Sequence, residues 1–231
     1  RLVPYGDLAA MEAAVRDETV AIMVEPIQGE GGVVVPPPDY LAGLRALAER
    51  RDVLLILDEI QCGLGRTGRL FAHEHAGVTP DIMTLAKALG GGLPIGAMCA
   101  TERVAAAFTP GVHGSTFGGN PVACAAAIAA VKALAEPALL EHVRTVGQHL
   151  RGRLEALVGR HGIQQVRGMG LMLGAVLERP GAAVVDHCRE AGLLVNCTAE
   201  RVLRFLPPLV ITRAQADEGF AILERALAAR P

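Results

Sequence analysis

The chain has 231 residues, 51% of them apolar and 20% charged, which is enough apolar material for one large domain or two small ones and too much for a disordered chain. With 22 Lys and Arg against 24 Asp and Glu the net charge is −2, so no electrostatic footprint marks it for nucleic acid or an anionic membrane. The longest apolar run, 122–131, is half the roughly 20 residues of a membrane span, and the five cysteines show no CxxC or CxH metal spacing.

Asp7 and the helical spacing of 8–16 predict a capped helix. VAIMV (20–24) is a short β-branched run stopped by Glu25-Pro26 and reads as a buried strand. QGEGGVVVPPP (28–38) is turn-rich, after which Asp39 is expected to cap a helix over 40–51. VLLIL (53–57) is a second buried strand, closed by Asp58-Glu59. Beyond a glycine-rich loop, 81–85 and 95–100 supply two more strands. Near-continuous apolar strands and an intervening helix predict an α/β sheet covered on both faces, whose ligands sit beyond the carboxyl ends of the strands.

Asn120-Pro121 opens an Ala-rich helix to about residue 136, and a second helix is expected over 139–158. The rest reads as a strand over 170–177, a helix over 182–191, strands over 193–196 and 202–205, and a closing helix with a Thr212/Gln215 capping box. This half is α+β in style, so domains are expected over 1–136 and 137–231.

Of the 22 basic residues only Lys87 and Lys132 are lysines. An amine can lose its proton and attack a carbonyl; a guanidinium cannot. Lys132 falls at a solvated position of the Ala-rich helix. Lys87, in TLAKALGGGLPIG (84–96), ends a strand and is followed by three glycines. Desolvation there favours the nucleophilic free amine, although a snorkelling lysine at a strand edge has the same local pattern. Asp58-Glu59 closes its strand as a Mg²⁺-binding strand of a nucleotide hydrolase does. That reading needs a GxxxxGK[ST] loop, and neither lysine precedes Ser or Thr; the plain alternative is an exposed acidic strand end. Residues 63–68 match GxGxxG, but DEIQC separates them from the strand, and Gly77 and Pro80 interrupt the stretch 69–80 where a long helix would have to run. A shaping loop is therefore the better account than a dinucleotide site. His73 and His75 lack HExxH spacing and read as solvated, with no metal expected. GSTFGGNP (114–121) offers amides and hydroxyls either to a phosphate or to an ordinary helix cap.

Together, a strand ending in Asp58, another ending in Lys87 and a hydroxyl-bearing glycine loop suit pyridoxal phosphate, which needs a lysine for its Schiff base, an acid at its pyridinium nitrogen and donors for its phosphate. At VEPIQGEGGV (24–33), LLILDEIQCGLGRTG (54–68), PDIMTLAKALGGGLPIGAM (80–98), HGSTFGGNP (113–121), RGMGLMLG (167–174) and LRFLPPLVI (203–211) the sequence resembles the class III (ω-type) aminotransferases. The resemblance implies a fold type I transferase: an α/β large domain, represented by part of its mixed sheet, plus a small C-terminal α+β domain. By the same resemblance Lys87 carries pyridoxal phosphate and shuttles the proton, Asp58 pairs with the ring nitrogen, and Gln61 bonds the phenolic oxygen. Glu59 and Ile60 complete the cofactor-binding stretch. Thr116 binds the phosphate and Ser115 the substrate, both reaching across from the neighbouring subunit of a homodimer. Arg204 clamps a substrate carboxylate, and Glu30 pairs with Arg204 when that carboxylate is absent.

The reaction this implies is ping-pong transfer of the δ-amine of N-acetylornithine to 2-oxoglutarate, in arginine biosynthesis and in the cytoplasm. Ornithine, succinylornithine and 4-aminobutyrate are the alternative donors. Family chains also carry, upstream of VPYGDL, a phosphate-cupping loop, a stacking aromatic and a second substrate arginine that these residues do not contain. The expectation is therefore a C-terminal part with an exposed sheet edge and weak cofactor binding on its own. The reading from another class is an inactive truncated fragment.

Overall fold

The computed structural model describes residues 1–229; Arg230 and Pro231, at the end of the expected 137–231 domain, lie outside the described residues. The chain forms two compact units. The first comprises Arg1–Pro26, Pro36–Leu64 and Arg69–Glu136; the second comprises Ile27–Val35, Gly65–Gly68 and the chain from Pro137 onward.

In the first unit, β1 (Ala21–Val24), β2 (Leu54–Asp58), β3 (Ile82–Leu85) and β4 (Ala97–Ala100) form a mixed sheet in that order. The first three strands run parallel and β4 is antiparallel to β3. Helix α1 (Leu8–Ala14) is capped by Asp7, whose Oδ1 accepts from Ala10 N at 2.8 Å. Helix α2 (Tyr40–Arg51) buries Tyr40, Leu41, Leu44, Leu47 and Ala48, one stripe at helical spacing, and this stripe packs with Ile22, Val24, Leu55 and Leu57 of the sheet. The expected Asp39 cap does not form: Asp39 is already in the right-handed helical region, with its side chain making no cap bond, while Tyr40 N reaches back to Pro37 O at 3.0 Å. Short α3 (Glu102–Ala105) follows β4, and α4 (Pro121–Leu134) opens on Asn120, whose Oδ1 accepts from Ala123 N at 2.9 Å.

Burial along β1, β2 and β3 alternates rather than running continuously. Ile22, Leu55, Leu57, Met83 and Leu85 are buried, whereas Met23 is 60% exposed and β4 is largely exposed. This corrects the expectation of a sheet covered on both faces. Leu54, Ile56 and Ile82 at the half-buried positions are as apolar as their buried neighbours, so composition could not separate one covered face from two.

The second unit carries α5 (Pro137–Glu155), β5 (Ile163–Met169), β6 (Met172–Leu177), α6 (Ala182–Glu190), β7 (Asn196–Thr198), β8 (Val202–Phe205) and α7 (Arg213–Ala228). Its antiparallel sheet has the order β5-β6-β8-β7. One face packs Val166, Leu173, Ala175, Leu177 and Leu203 against Leu150 and Leu154 of α5, Val184 and Cys188 of α6, and Phe220 and Leu223 of α7. The capping box at α7 forms, with Gln215 N donating to Thr212 Oγ1 at 3.2 Å and Thr212 N to Gln215 Oε1 at 3.0 Å.

The expected strand over 170–177 forms as β6, starting two residues later, but it is the second arm of a hairpin whose first arm, β5, the sequence pattern conceals: a register irregularity between Ile163 and Gln165 breaks the alternation that would have revealed it. The expected strand over 193–196 lies later, at β7, because Leu193 N closes α6 by donating to Cys188 O at 2.8 Å and Leu194 is left 88% exposed.

Asp81, just before β3, links three parts of the first unit. Its carboxylate accepts from Leu55 N at 2.8 Å, Arg45 at 2.8 Å and Arg103 at 3.3 Å. Burial pushes the carboxyl up, but the Leu55 amide and the two guanidinium groups outweigh it and hold it below the usual carboxylate range. As pH falls, the unfolded chain therefore protonates this group first. Its stabilisation is complete above about pH 4–5 and declines as pH falls through the lower folded value. Denaturant unfolding of Asp81→Asn between pH 3 and 7 is expected to show lower stability at neutral pH and a shallower acid limb than the parent chain.

Candidate active site

Parallel pairing of β2 with β3 sets Asp58 opposite Thr84. Paired residues on parallel strands face the same side, so both lie on the face opposite the buried Leu57 and Leu85. Lys87 follows three residues after Thr84, at the same carboxyl end of the sheet. Its φ of +48° is a left-handed conformation uncommon for a residue with a side chain, and such outliers, at a cost of about 1–3 kcal/mol, gather at functional sites. The side chain is exposed, so the burial expected around the amine is not found.

Asp58 Oδ1 accepts from Ile60 N at 2.9 Å, a local bond that aims the carboxylate beyond the strand end. The Thr84 hydroxyl beside it is buried and has no hydrogen-bond partner. A carboxylate able to accept from a protonated ring nitrogen, an orphaned buried hydroxyl beside it and an amine for an aldehyde, all at one end of the sheet, are groups that pyridoxal phosphate requires, and the residues present fit it.

Glu59 has another occupation. It is 1% exposed, and its carboxylate accepts from Ala72 N and His73 N at 2.8 Å each, with His73 Nδ1 at 2.9 Å. Its side chain is thus committed to the 3₁₀ turn Ala72–Ala76, so any cofactor role expected of it falls to its main chain. His73, expected in solvent, is instead part of this cluster. The first glycine of the GxGxxG match has its reason here too, because a Cβ on Gly63 would stand 2.8 Å from Glu59 O and 2.9 Å from Glu59 Oε2. Among the described residues no group of three or more His, Cys, Asp or Glu is gathered as a metal site would need.

Ser115 and Thr116 lie in an exposed turn ahead of α4, where Ser115 Oγ accepts from Gly118 N at 2.9 Å. Gln61 is half-buried on the loop after Ile60.

The second unit brings Glu30 and Arg204 together, with Arg204 Nη1 2.6 Å from Glu30 Oε1. The Arg204 side chain is 9% exposed and that of Glu30 74%. Asn196, opposite Arg204 in the β7–β8 pair, supports the guanidinium; with its amide turned so that its nitrogen donates to Arg204 O at 3.3 Å, its oxygen accepts from Arg204 Nη2 at 2.8 Å. Sequence reasoning misses Asn196. Its signal is the polar spacing Asn196, Thr198 in a short strand, visible only once β7 is placed correctly. Arg66, in the loop Gly65–Gly68, is a further residue that no sequence motif singles out: it donates to Pro207 O at 2.5 Å and Leu171 O at 3.3 Å, and burial lowers its pKa to about 10. A cavity of about 490 Å³ in this unit is lined mainly by apolar side chains such as Leu150, Leu193, Phe205, Ile211 and Phe220.

A family model described as "Aminotransferase class-III" matches residues 5–227. The acetylornithine aminotransferase of Methanothermobacter thermautotrophicus is 54% identical over 222 residues, covering 96% of this chain and 57% of that protein. The N-acetylornithine aminotransferase structure from Stenotrophomonas maltophilia superposes with a TM-score of 0.90 at 42% identity, covering 99% of this chain and 62% of the other. An ornithine aminotransferase structure from Toxoplasma gondii, described as having partial occupancy of pyridoxal phosphate at its active site, superposes at 0.92 with 40% identity, covering 99% and 55%. The chain spans 55–58% of the length of the curated relatives it matches.

Replacing Glu59 by Ala leaves the buried Ala72 amide and the partly buried His73 amide without an acceptor. The expected loss is on the order of 2–3 kcal/mol in denaturant unfolding, with Glu59→Gln recovering part of it through its remaining acceptor oxygen.

Proposed function

The chain belongs to the class-III aminotransferases, and on that premise we propose that its protein transfers the δ-amino group of N-acetylornithine to 2-oxoglutarate with pyridoxal phosphate. The observation that carries the site is the placement of Asp58 and Lys87 at the carboxyl ends of two adjoining parallel strands, with the unpartnered Thr84 hydroxyl between them in sequence. The names of the relatives at 50–54% identity favour N-acetylornithine as donor. In this reading the first unit is part of the cofactor-binding large domain and the second is the small domain.

Bound pyridoxal phosphate supplies an electron sink for the charge released when the C–H bond beside the amine breaks. Lys87 Nζ would hold the cofactor at rest and, once released, would take the proton from the amine-bearing carbon and deliver it to the cofactor's C4′ carbon; a positioned base of this kind is worth about 10²–10⁴-fold. Asp58 keeps a proton on the ring nitrogen, since a carboxylate beside it favours the charged form. Gln61 holds the phenolic oxygen, with Ile60 and the main chain of Glu59 lining the same stretch. Thr116 takes the phosphate and Ser115 the substrate, each serving the neighbouring subunit of a homodimer. Arg204 grips the carboxylate of 2-oxoglutarate or glutamate through its planar fork. Glu30 neutralises Arg204 when the donor brings no carboxylate to that position. All five cysteines are free thiols, which suits work in the cytoplasm.

Two measurements on the full-length protein test this. Lys87→Ala is expected to lower transamination by 10²-fold or more, and borohydride treatment of the holoenzyme should place the cofactor's mass on the peptide containing Lys87. A label elsewhere overturns the assignment. Arg204→Ala is expected to weaken the dicarboxylate half-reaction by about one to two decades, the worth of a charge-assisted bidentate contact of about 1.5–3 kcal/mol. An unchanged 2-oxoglutarate half-reaction removes Arg204 from the site.

A further inference from the structure

The loop that carries Glu30 is held to the strands of its own unit, the second, through its main chain. Gln28 and Val34 exchange backbone hydrogen bonds of 3.0 and 2.9 Å, closing the segment into a small hairpin. Thr198 Oγ1 donates to the carbonyl of Glu30, and Arg167 Nε donates to the carbonyl of Gly32 at 2.8 Å. Val33, beside the closing pair, is fully buried, whereas the Glu30 side chain is 74% exposed.

Strand register explains why these residues meet. Arg167 of β5 pairs with Gly174 of β6, Gly174 with Arg204 of β8, and Arg204 with Asn196 of β7. Directly opposed residues in antiparallel strands share a face, so the four positions form one row across the sheet. It is the face away from the core, because the neighbours Val166, Ala175 and Leu203 are core residues. Gly174 supplies the seat: a Cβ there would lie 3.1 Å from Val33 Cβ and 3.0 Å from Val202 Cγ1. The loop therefore sits over Gly174 between two arginines of the same row. Arg167 takes its main chain and Arg204 its carboxylate.

We propose that Arg167 and Thr198 are positioning residues for substrate discrimination: they fix the backbone of the Glu30 loop over Gly174, so that Glu30 covers and uncovers Arg204 by side-chain rotation alone. The inference rests on the proposed roles of Glu30 and Arg204. A fixed backbone keeps the carboxylate within reach of Arg204 at every turnover, so closing requires no reordering of the loop. Loosening the main chain leaves Arg204, 9% exposed, without its counter-charge for part of the time. An ω-amine donor then competes less well against glutamate, whose carboxylate supplies the missing anion.

The test is a double-mutant cycle on the full-length holoenzyme, read as the ratio of kcat/KM for N-acetylornithine to that for glutamate in the amine half-reaction. Arg167→Met and, separately, Thr198→Val are each expected to lower that ratio at least fivefold in the parent background and by less than twofold when combined with Glu30→Ala. Thr198→Val, nearly isosteric, keeps the question open to measurement if Arg167→Met does not fold. An equal effect in both backgrounds, or none in the parent while Glu30→Ala itself shifts the ratio, overturns the positioning role. A ratio unmoved by Glu30→Ala overturns the assignment of Glu30 itself, and the inference with it.

Discussion

The register between β2 and β3 is the constraint on which the proposed cofactor site of the first unit depends. Leu55, Leu57, Met83 and Leu85 all belong on the buried face, and because side chains alternate strictly, that requirement leaves Asp58 and Thr84 on the other. A slip of one residue would drive the Asp58 carboxylate among leucines, where an unpaired charge is prohibitively costly. The hydrophobic effect thus aims a polar residue it never touches. Lys87 follows from the same alignment, since its strand ends level with that of Asp58, and the left-handed turn at Lys87 is where the chain leaves the sheet.

The second unit applies the alternation rule to an antiparallel sheet. Val166, Leu173, Ala175 and Leu203 are drawn into the core with α5, α6 and α7. Their strand neighbours Arg167, Gly174 and Arg204 are thereby turned to the opposite face. The row of guanidinium, glycine and guanidinium is a by-product of core packing, and the Glu30 loop uses it, filling the gap over the glycine while its carbonyl and carboxylate meet the flanking cations.

Legibility from sequence tracks the range of the interactions. Strands β1, β2 and β8, the caps at Asp7, Asn120 and Thr212, and the standing of Lys87 as one of two lysines rest on local pattern and composition, and they can be read directly. The irregular β5 cannot, because its register break hides the period on which such reading relies. Glu59 reads with its neighbours as one cofactor-binding stretch, but its side chain answers to Ala72 and His73, more than ten residues away, a demand no local motif announces. Likewise Ile27–Val35 and Gly65–Gly68 look like ordinary connections, yet their hydrogen bonds go to residues beyond position 137, such as Thr198, Arg167, Leu171 and Pro207. Asn196 and Arg167 become visible only with the strand pairing that places them beside Arg204.

The electrostatics of Arg204 explain why its partner is a carboxylate on an exposed side chain. An arginine whose side chain is only 9% exposed has given up much of its hydration and gains from an anion held close to it. A deeply buried partner would satisfy it permanently and leave nothing for a substrate. A partner out in water would leave it uncompensated. Glu30, with its backbone held and its side chain 74% exposed, lies between these limits: water readily receives its carboxylate when it swings away, so exchanging one carboxylate for another costs little. On the proposed reading, that balance lets one cation serve a donor that brings no charge to this position and an acceptor that does, because Arg204 is compensated in both states and only the identity of the anion changes.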